Sequence, residues 1–260
     1  MTLPTHLSFP PGTLAESAQR LAVLHAAAGA VILEKNAGIA EIGNAFRAQV
    51  AEAKPSACAF GLRRPQLVFA PEAEISGLQI YADKDSEALD LWKNTFGSAL
   101  FRFRYTFLTR PIPNAARESE ITCSLPVAQH VSKPLALISH TTGKKSETRF
   151  RRTETFSGFE LWEAETAFPR FHQIRIHAKE CGLPIVGDML YDGAPAPRVS
   201  ELRPKKRLNK GEDKALYAPI CLHLRAVELP GDLPGIRAFS IEAPLPNGFE
   251  TLLKKLRARI

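Results

Sequence analysis

The sequence predicts an α+β fold with a largely antiparallel sheet. Three observations predict it. Strand-like and helix-like segments mix along the chain without a regular β-α-β rhythm. The stretch "FRFRYTFLT", 101–109, alternates, with Phe101, Phe103, Tyr105 and Phe107 on one side and Arg102 and Arg104 on the other. That is the period of a strand with one aromatic face. Ala88, Leu89, Trp92 and Phe96 recur instead at helical spacing.

The elements follow in order. Residues 1–13 are rich in proline and read as an extended arm, and Leu14–Ala28 is rich in helix formers. Residues 1–28 are therefore expected to be an N-terminal arm and helix. "AVIL" at 30–33 reads as a strand and "EKNAG" as a turn. Residues 44–54 suit a helix and 55–65 a loop. "QLVF" at 66–69 and "GLQIYA" at 77–82 read as strands joined by "APEAEIS". Asp85 is placed to cap the helix that follows, and Gly97 to end it. Further strands are expected at 135–139, 148–154, 158–166, 221–228 and 237–242. "FETLLKKLRARI" closes the chain as a short amphipathic helix.

Composition narrows the function classes. Of 260 residues, 45% are hydrophobic and 23% charged, as in a globular protein. The net charge of +7 favours an anionic partner such as nucleic acid. The segment "RVSELRPKKRLNKGEDK", 198–214, concentrates part of that charge in Lys205, Lys206, Arg207 and Lys210. The four cysteines are scattered with no Cys-x-x-Cys pair, which argues against a zinc or redox motif and for a reduced interior. The N-terminus shows no secretory pattern and no apolar run reaches membrane-span length. A cytoplasmic protein with no membrane partner is expected.

"RFHQIRIHAKECGLPIVGD", 170–188, sets polar groups directly against an apolar run. As a helix over 172–181 it stacks Ile174, Ala178 and Cys181 on one side. Gly182 suits the left-handed position after the helix, and Pro184 follows where a helix cannot continue. On spacing alone the polar cluster is a solvated helix start.

The same segment, extended to "HQIRIHAKECGLPIVGDMLYDG", resembles the hallmark of the RluA-type RNA pseudouridine synthases. That hallmark reads roughly Gly-Arg-Thr-His-Gln-Ile-Arg-Val-His, a short helix, then Gly-His-Pro-Ile-x-Gly-Asp-x-x-Tyr-Gly. The match takes in His172, Gln173, Arg175, His177, Pro184, Gly187, Asp188 and Tyr191. "LEKNAG" at 33–38, "SGLQIYADKDSEALDLW" at 76–92, "TTGKKSETRFR" at 141–151 and "CLHLRAVELP" at 221–230 resemble other family landmarks in the family order. "FRFRYTFL" puts Tyr105 on the family tyrosine. The resemblance implies a pseudouridine synthase fold: one domain over 29–260, a long mixed, mostly antiparallel sheet flanked by helices, and a central cleft. It leaves no room in the short arm for the small RNA-binding domain that some relatives carry.

The resemblance also implies a reaction. Uracil is detached from its ribose, turned over and rejoined through carbon, with no metal or organic cofactor. The family uses an aspartate nucleophile from a His-Arg-Leu-Asp run just before its Ser-Gly-Leu strand. Here "FAPEAEISGL" stands in that place, so Glu72 takes the aspartate position and Ala70 that of the arginine that holds the flipped-out nucleotide. In the hallmark, Pro169 replaces the glycine and Phe171 the threonine. Glu72, Tyr105 and Arg175 are the candidate catalytic residues. Arg170, His172 and Lys179, with Lys205, Lys206 and Arg207, are the candidate RNA contacts.

Glutamate carries its carboxylate about 1 Å further than aspartate, a misplacement that costs on the order of 100-fold in rate. The expected function is a family homologue that binds structured RNA, ribosomal or transfer RNA, as a monomer, with isomerisation impaired or absent. The alternatives are an active synthase using Glu72, and a purely RNA-binding or chaperone protein on the same fold. A hydrolase using Glu72 and Glu74 is disfavoured, because glutamates two apart on an extended segment face opposite ways.

Overall fold

The computed structural model describes residues 3–110, 118–156, 158–202 and 213–258. In chain order the strands are β1 (His6–Phe9), β2 (Gln19–Ala27), β3 (Ala30–Lys35), β4 (Pro65–Phe69), β5 (Gly77–Asp83), β6 (Arg102–Thr109), β7 (Glu120–Cys123), β8 (Val127–Gln129), β9 (Ala136–Ile138), β10 (Thr148–Phe156), β11 (Phe159–Thr166), β12 (Leu222–Leu229) and β13 (Phe239–Glu242). The helices are α1 (Gly43–Ala51), α2 (Pro55–Cys58), α3 (Ala88–Gly97), α4 (Gln173–Glu180), α5 (Val199–Leu202) and α6 (Asn247–Arg257), with a 3₁₀ turn at Met189–Tyr191. None of these helices is long and apolar enough to cross a membrane. The chain divides into two compact units, Met1–Phe103 with Leu224–Pro244, and Arg104–His223 with Leu245–Ile260.

The first unit is built on a sheet of order β1-β2-β3-β5-β4, antiparallel at every pairing. Its core packs Leu7, Leu21, Val31 and Leu33 of the sheet against Ile42 and Phe46 of the α1 region. The helix expected within Leu14–Ala28 does not form. Its alanine-rich second half is β2, because a two-residue turn at Ala28 (φ 49°) and Gly29 (φ 68°) folds it back on β3. A hairpin turn with two positive φ angles matches the twist of paired strands, and pairing on both sides outweighs helix propensity.

α3 forms where its apolar spacing places it, but Asp85 is not its cap. The cap residue is Glu87, with no side-chain hydrogen bond, and the Asp85 carboxylate instead accepts Arg64 Nε at 2.7 and 2.8 Å. Trp92 stacks on Phe101 at 6.0 Å and Phe69 meets Phe103 edge-on at 4.9 Å. Gly77 has φ 148°, and a Cβ there would lie 2.5 Å from Leu224 Cβ. The Ser-Gly-Leu strand therefore requires glycine on steric grounds alone.

In the second unit β6, β11, β10 and β7 lie side by side, with β10 antiparallel to both β11 and β7. α6 sets Phe249, Leu252, Leu253 and Leu256 into a core with Leu108, Phe156 and Leu161. Strands β7 and β8, and α2 inside the expected loop 55–65, are too short to show a period in the sequence.

Candidate functional site

α4 carries the hallmark segment, and its polar residues are internal. Gln173 through Ala178 are all buried, so the solvated helix start expected from spacing is not what forms. Each polar side chain has a partner that explains its burial. Gln173 Nε2 lies 2.9 Å from the Glu147 carbonyl, 3.0 Å from Thr148 Oγ1 and 3.1 Å from Thr166 Oγ1. Its Oε1 accepts the Arg170 amide at 3.1 Å. This one side chain ties the helix start to β10 and β11. His177 bridges Thr148 Oγ1 and the Leu125 carbonyl, both at 2.9 Å.

Arg175 is 2% exposed and Asp188 fully buried. Their pairing is bidentate, with Nε to Oδ2 at 2.6 Å and Nη2 to Oδ1 at 2.7 Å, the geometry in which an arginine–carboxylate pair is strongest. Arg175 Cζ also lies 5.1 Å from the centre of the Tyr191 ring. Asp188 is held by a tight loop in which a Cβ on Gly193 would fall 2.0 Å from the Ile185 carbonyl.

His172 completes the cluster from a left-handed backbone position, φ 53°. Its Nε2 lies 2.9 Å from Arg175 Nη1 and its Nδ1 2.9 Å from the Tyr191 hydroxyl. A guanidinium only donates, so Nε2 must accept and the proton must sit on Nδ1. His172 is therefore a neutral imidazole donating to Tyr191, whose oxygen also accepts the Ala136 amide at 2.7 Å.

Glu72 belongs to the first unit, on the loop between β4 and β5. Its backbone carbonyl accepts the Ile75 amide at 3.1 Å. Glu72 and Glu74 thus lie in a turn, and the opposite-facing geometry expected of an extended segment does not apply to them. Lys35, 1% exposed at the end of β3, pins this loop. Its ammonium donates to the carbonyls of Glu72 at 2.9 Å, Ala73 at 3.3 Å and Ile75 at 2.6 Å. Pro71 is buried and Glu72 half-buried, so the position matched to the family aspartate sits on a backbone with little slack.

Burial pulls the Lys35 ammonium down to about 8, against the upward pull of the Glu72 and Glu74 carboxylates. The unfolded chain keeps that proton until about pH 10.4. Between these values the unfolded state binds more protons, so stability should rise with pH, by at most about 3 kcal/mol. Lys35→Met should flatten this rise and speed amide exchange across 70–76, whose carbonyls it uncaps. Urea titrations from pH 7 to 11 and hydrogen exchange check both effects.

The other predicted residues fall as follows. Tyr105 lies on β6 in the second unit and is 3% exposed, and Phe101, Phe103 and Phe107 of the predicted aromatic face are buried as well. His172, expected among the RNA contacts, is 2% exposed and engaged within the protein. Lys179 is at the surface and pairs with Asp192 at 2.8 Å. Arg170 donates Nε and Nη2 to the Lys145 carbonyl, both at 3.1 Å. Lys205, Lys206 and Arg207 lie outside the described residues. Asp188 enters the sequence reading only as a matched hallmark residue and Lys35 only within "LEKNAG", and neither is given a partner there. The signal is a charge set against an apolar run, Asp188 in "PIVGDML" and Lys35 at the end of "AVILEK", which burial forces to find a partner.

No family model matches the chain. Individual relatives do. The chain is 31% identical over 210 residues to RNA pseudouridine synthase 2, chloroplastic, of Oryza sativa subsp. japonica, covering 75% of this chain and 45% of that protein. It is 29% identical over 138 residues to ribosomal large subunit pseudouridine synthase D of Haemophilus ducreyi, covering 51% and 39% respectively. The chain thus spans less than half the length of either relative. Human RNA pseudouridylate synthase domain containing 4 shares the fold, with a TM-score of 0.68 at 19% identity over 90% of this chain and 92% of that one. The chain is thus similar in sequence to RNA pseudouridine synthases over about three quarters of its length and shares the fold of a solved one, likenesses that support the RluA-type RNA pseudouridine synthase family.

Proposed function

We propose that the chain binds structured RNA, ribosomal or transfer RNA, as a monomer in the cytoplasm, and that it isomerises uridine weakly or not at all. Residues 29–260 would be the synthase body, with β1 and β2 extending its first sheet. The observation that carries the reading is the loop at the nucleophile position. A longer carboxylate, Glu72, stands there on a backbone fixed by Lys35 and the buried Pro71. The loop has little room to retract the extra methylene, and Ala70 supplies no cation to hold a flipped nucleotide. One observation favours the rival, an active synthase using Glu72. Arg175 keeps a complete buried network, which is costly to retain without use.

Purified protein and ribosomal RNA labelled with tritium at uridine C5 separate the two. Forming the C5–C1′ bond and breaking N1–C1′ displaces the C5 hydrogen, so isomerisation releases tritium to water. Retained RNA with no release above blank is expected, whereas release that depends on Glu72 would support the rival. For the basic segment, alanine at Lys205, Lys206 and Arg207 together should reduce the slope of log K against log salt by roughly two to three, about one unit for each phosphate left without its cation. Filter binding from low to moderate salt measures it.

A further inference from the structure

A pocket of about 390 Å³ opens in the second unit beside the start of α4. Its lining includes Phe168, Arg170 and Phe171 from the segment leading into the helix, Lys144, and Gln129 and Val131 at the end of β8, and among the described residues no acidic side chain lines it. Two features make it unlike ordinary surface. The first is exposed apolar area: Phe171 is 37% exposed and Val131 fully so. The second is a fixed cationic slab. Arg170 lies over the Phe168 ring at 5.2 Å while its guanidinium is anchored on the Lys145 carbonyl.

Phe171 itself is pre-set. Its ring stacks on His172 at 3.8 Å and 18°, so one face is covered while the ring still lines the pocket. The family hallmark has threonine at this place, so the platform is a departure of this chain. His172 is in turn 2.9 Å from Arg175. An occupant of the pocket would thus be one side chain removed from the residue that holds the candidate catalytic arginine.

We infer that this pocket receives one unpaired nucleobase of the bound RNA, stacked on Phe171, with Arg170 and Lys144 facing its flanking phosphates. The inference rests on the RNA-binding reading above. Aromatic platforms interleaved with cations are how single-stranded nucleic acid is held, because every base presents a π face and every nucleotide a negative charge. The volume lies within the range of small-ligand sites, about 300–1,000 Å³, and suits one nucleotide better than a folded partner. An apolar peptide would use Phe171 and Val131 but would gain nothing from two cations without a carboxylate.

The test uses the full chain, a fluorescein-labelled oligouridine 8-mer and purified ribosomal RNA. Phe171→Ala and Phe171→Thr should each weaken the 8-mer about tenfold. Phe171→Trp, which keeps the platform, should bind as wild type, and Lys144→Ala should weaken binding and lower its salt slope. Oligomers carrying 5-iodouridine should photo-cross-link to the peptide containing Phe171. If the wild type binds the 8-mer and Phe171→Ala binds it equally well, the pocket does not hold a base and the inference is overturned, while the RNA-binding reading stands. A pocket that serves an apolar peptide would show that same indifference. If the wild type binds neither RNA, the RNA-binding reading fails and this inference falls with it.

Discussion

Asp188→Ala is expected to destabilise the protein by about 3–5 kcal/mol, a larger loss than truncating any other side chain of the α4 cluster. The carboxylate is fully buried and both its oxygens are taken by Arg175, itself 2% exposed. Removing it strips the buried guanidinium of both its carboxylate bonds and leaves His172 Nε2 beside it. The reverse comparison separates burial from attraction. Removing both charges together, as in Arg175→Met with Asp188→Leu, should recover much of the loss, since a buried pair contributes little net stability against apolar groups of similar size. Urea unfolding of the three proteins decides it. A loss below about 1 kcal/mol for Asp188→Ala would mean that Arg175 finds solvent or another anion, against the buried-pair account.

The second large effect is a gain. Glu72→Asp alone should give a trace of pseudouridine, and Glu72→Asp with Ala70→Arg should give clearly more. Shortening the side chain restores the reach that the family chemistry uses, a correction of about 1 Å where such an error costs on the order of 100-fold. The arginine restores the cation that holds the extruded nucleotide. The first substitution without the second places a nucleophile beside a base that does not stay flipped. Mass-spectrometric counting of pseudouridine in ribosomal RNA after incubation with each variant checks the order. Equal yields from the single and double variants would remove Ala70 from the explanation.

Much of the architecture is legible in the sequence because its signals are periodic. The alternation of Phe101, Phe103, Tyr105 and Phe107 marks β6, and the spacing of Leu89, Trp92 and Phe96 marks α3. β2 reads as helix because its alanines favour one, and the positive-φ turn at Ala28–Gly29 together with pairing to β1 and β3 makes it a strand. The family hallmark is readable residue by residue, yet the burial of Gln173, Arg175 and His177 is not. Helical spacing reports which residues share a face, and a face of polar residues looks solvated until its partners are known. Those partners, Thr148, Asp188 and the Leu125 carbonyl, lie between 13 and 52 residues away. The role of Lys35 is hidden for the same reason, since its acceptors are backbone carbonyls some 40 residues on, which no side-chain motif records.

The most direct measurement of the defect proposed at Glu72 is a pseudouridine map of RNA from cells with and without the gene, paired with purified protein acting on the RNA from deleted cells. No site should be lost on deletion, and wild-type protein should add little or no pseudouridine although it binds the RNA. A site that vanishes on deletion and returns with wild-type protein, but not with Glu72→Ala, would contradict this and make Glu72 a working nucleophile.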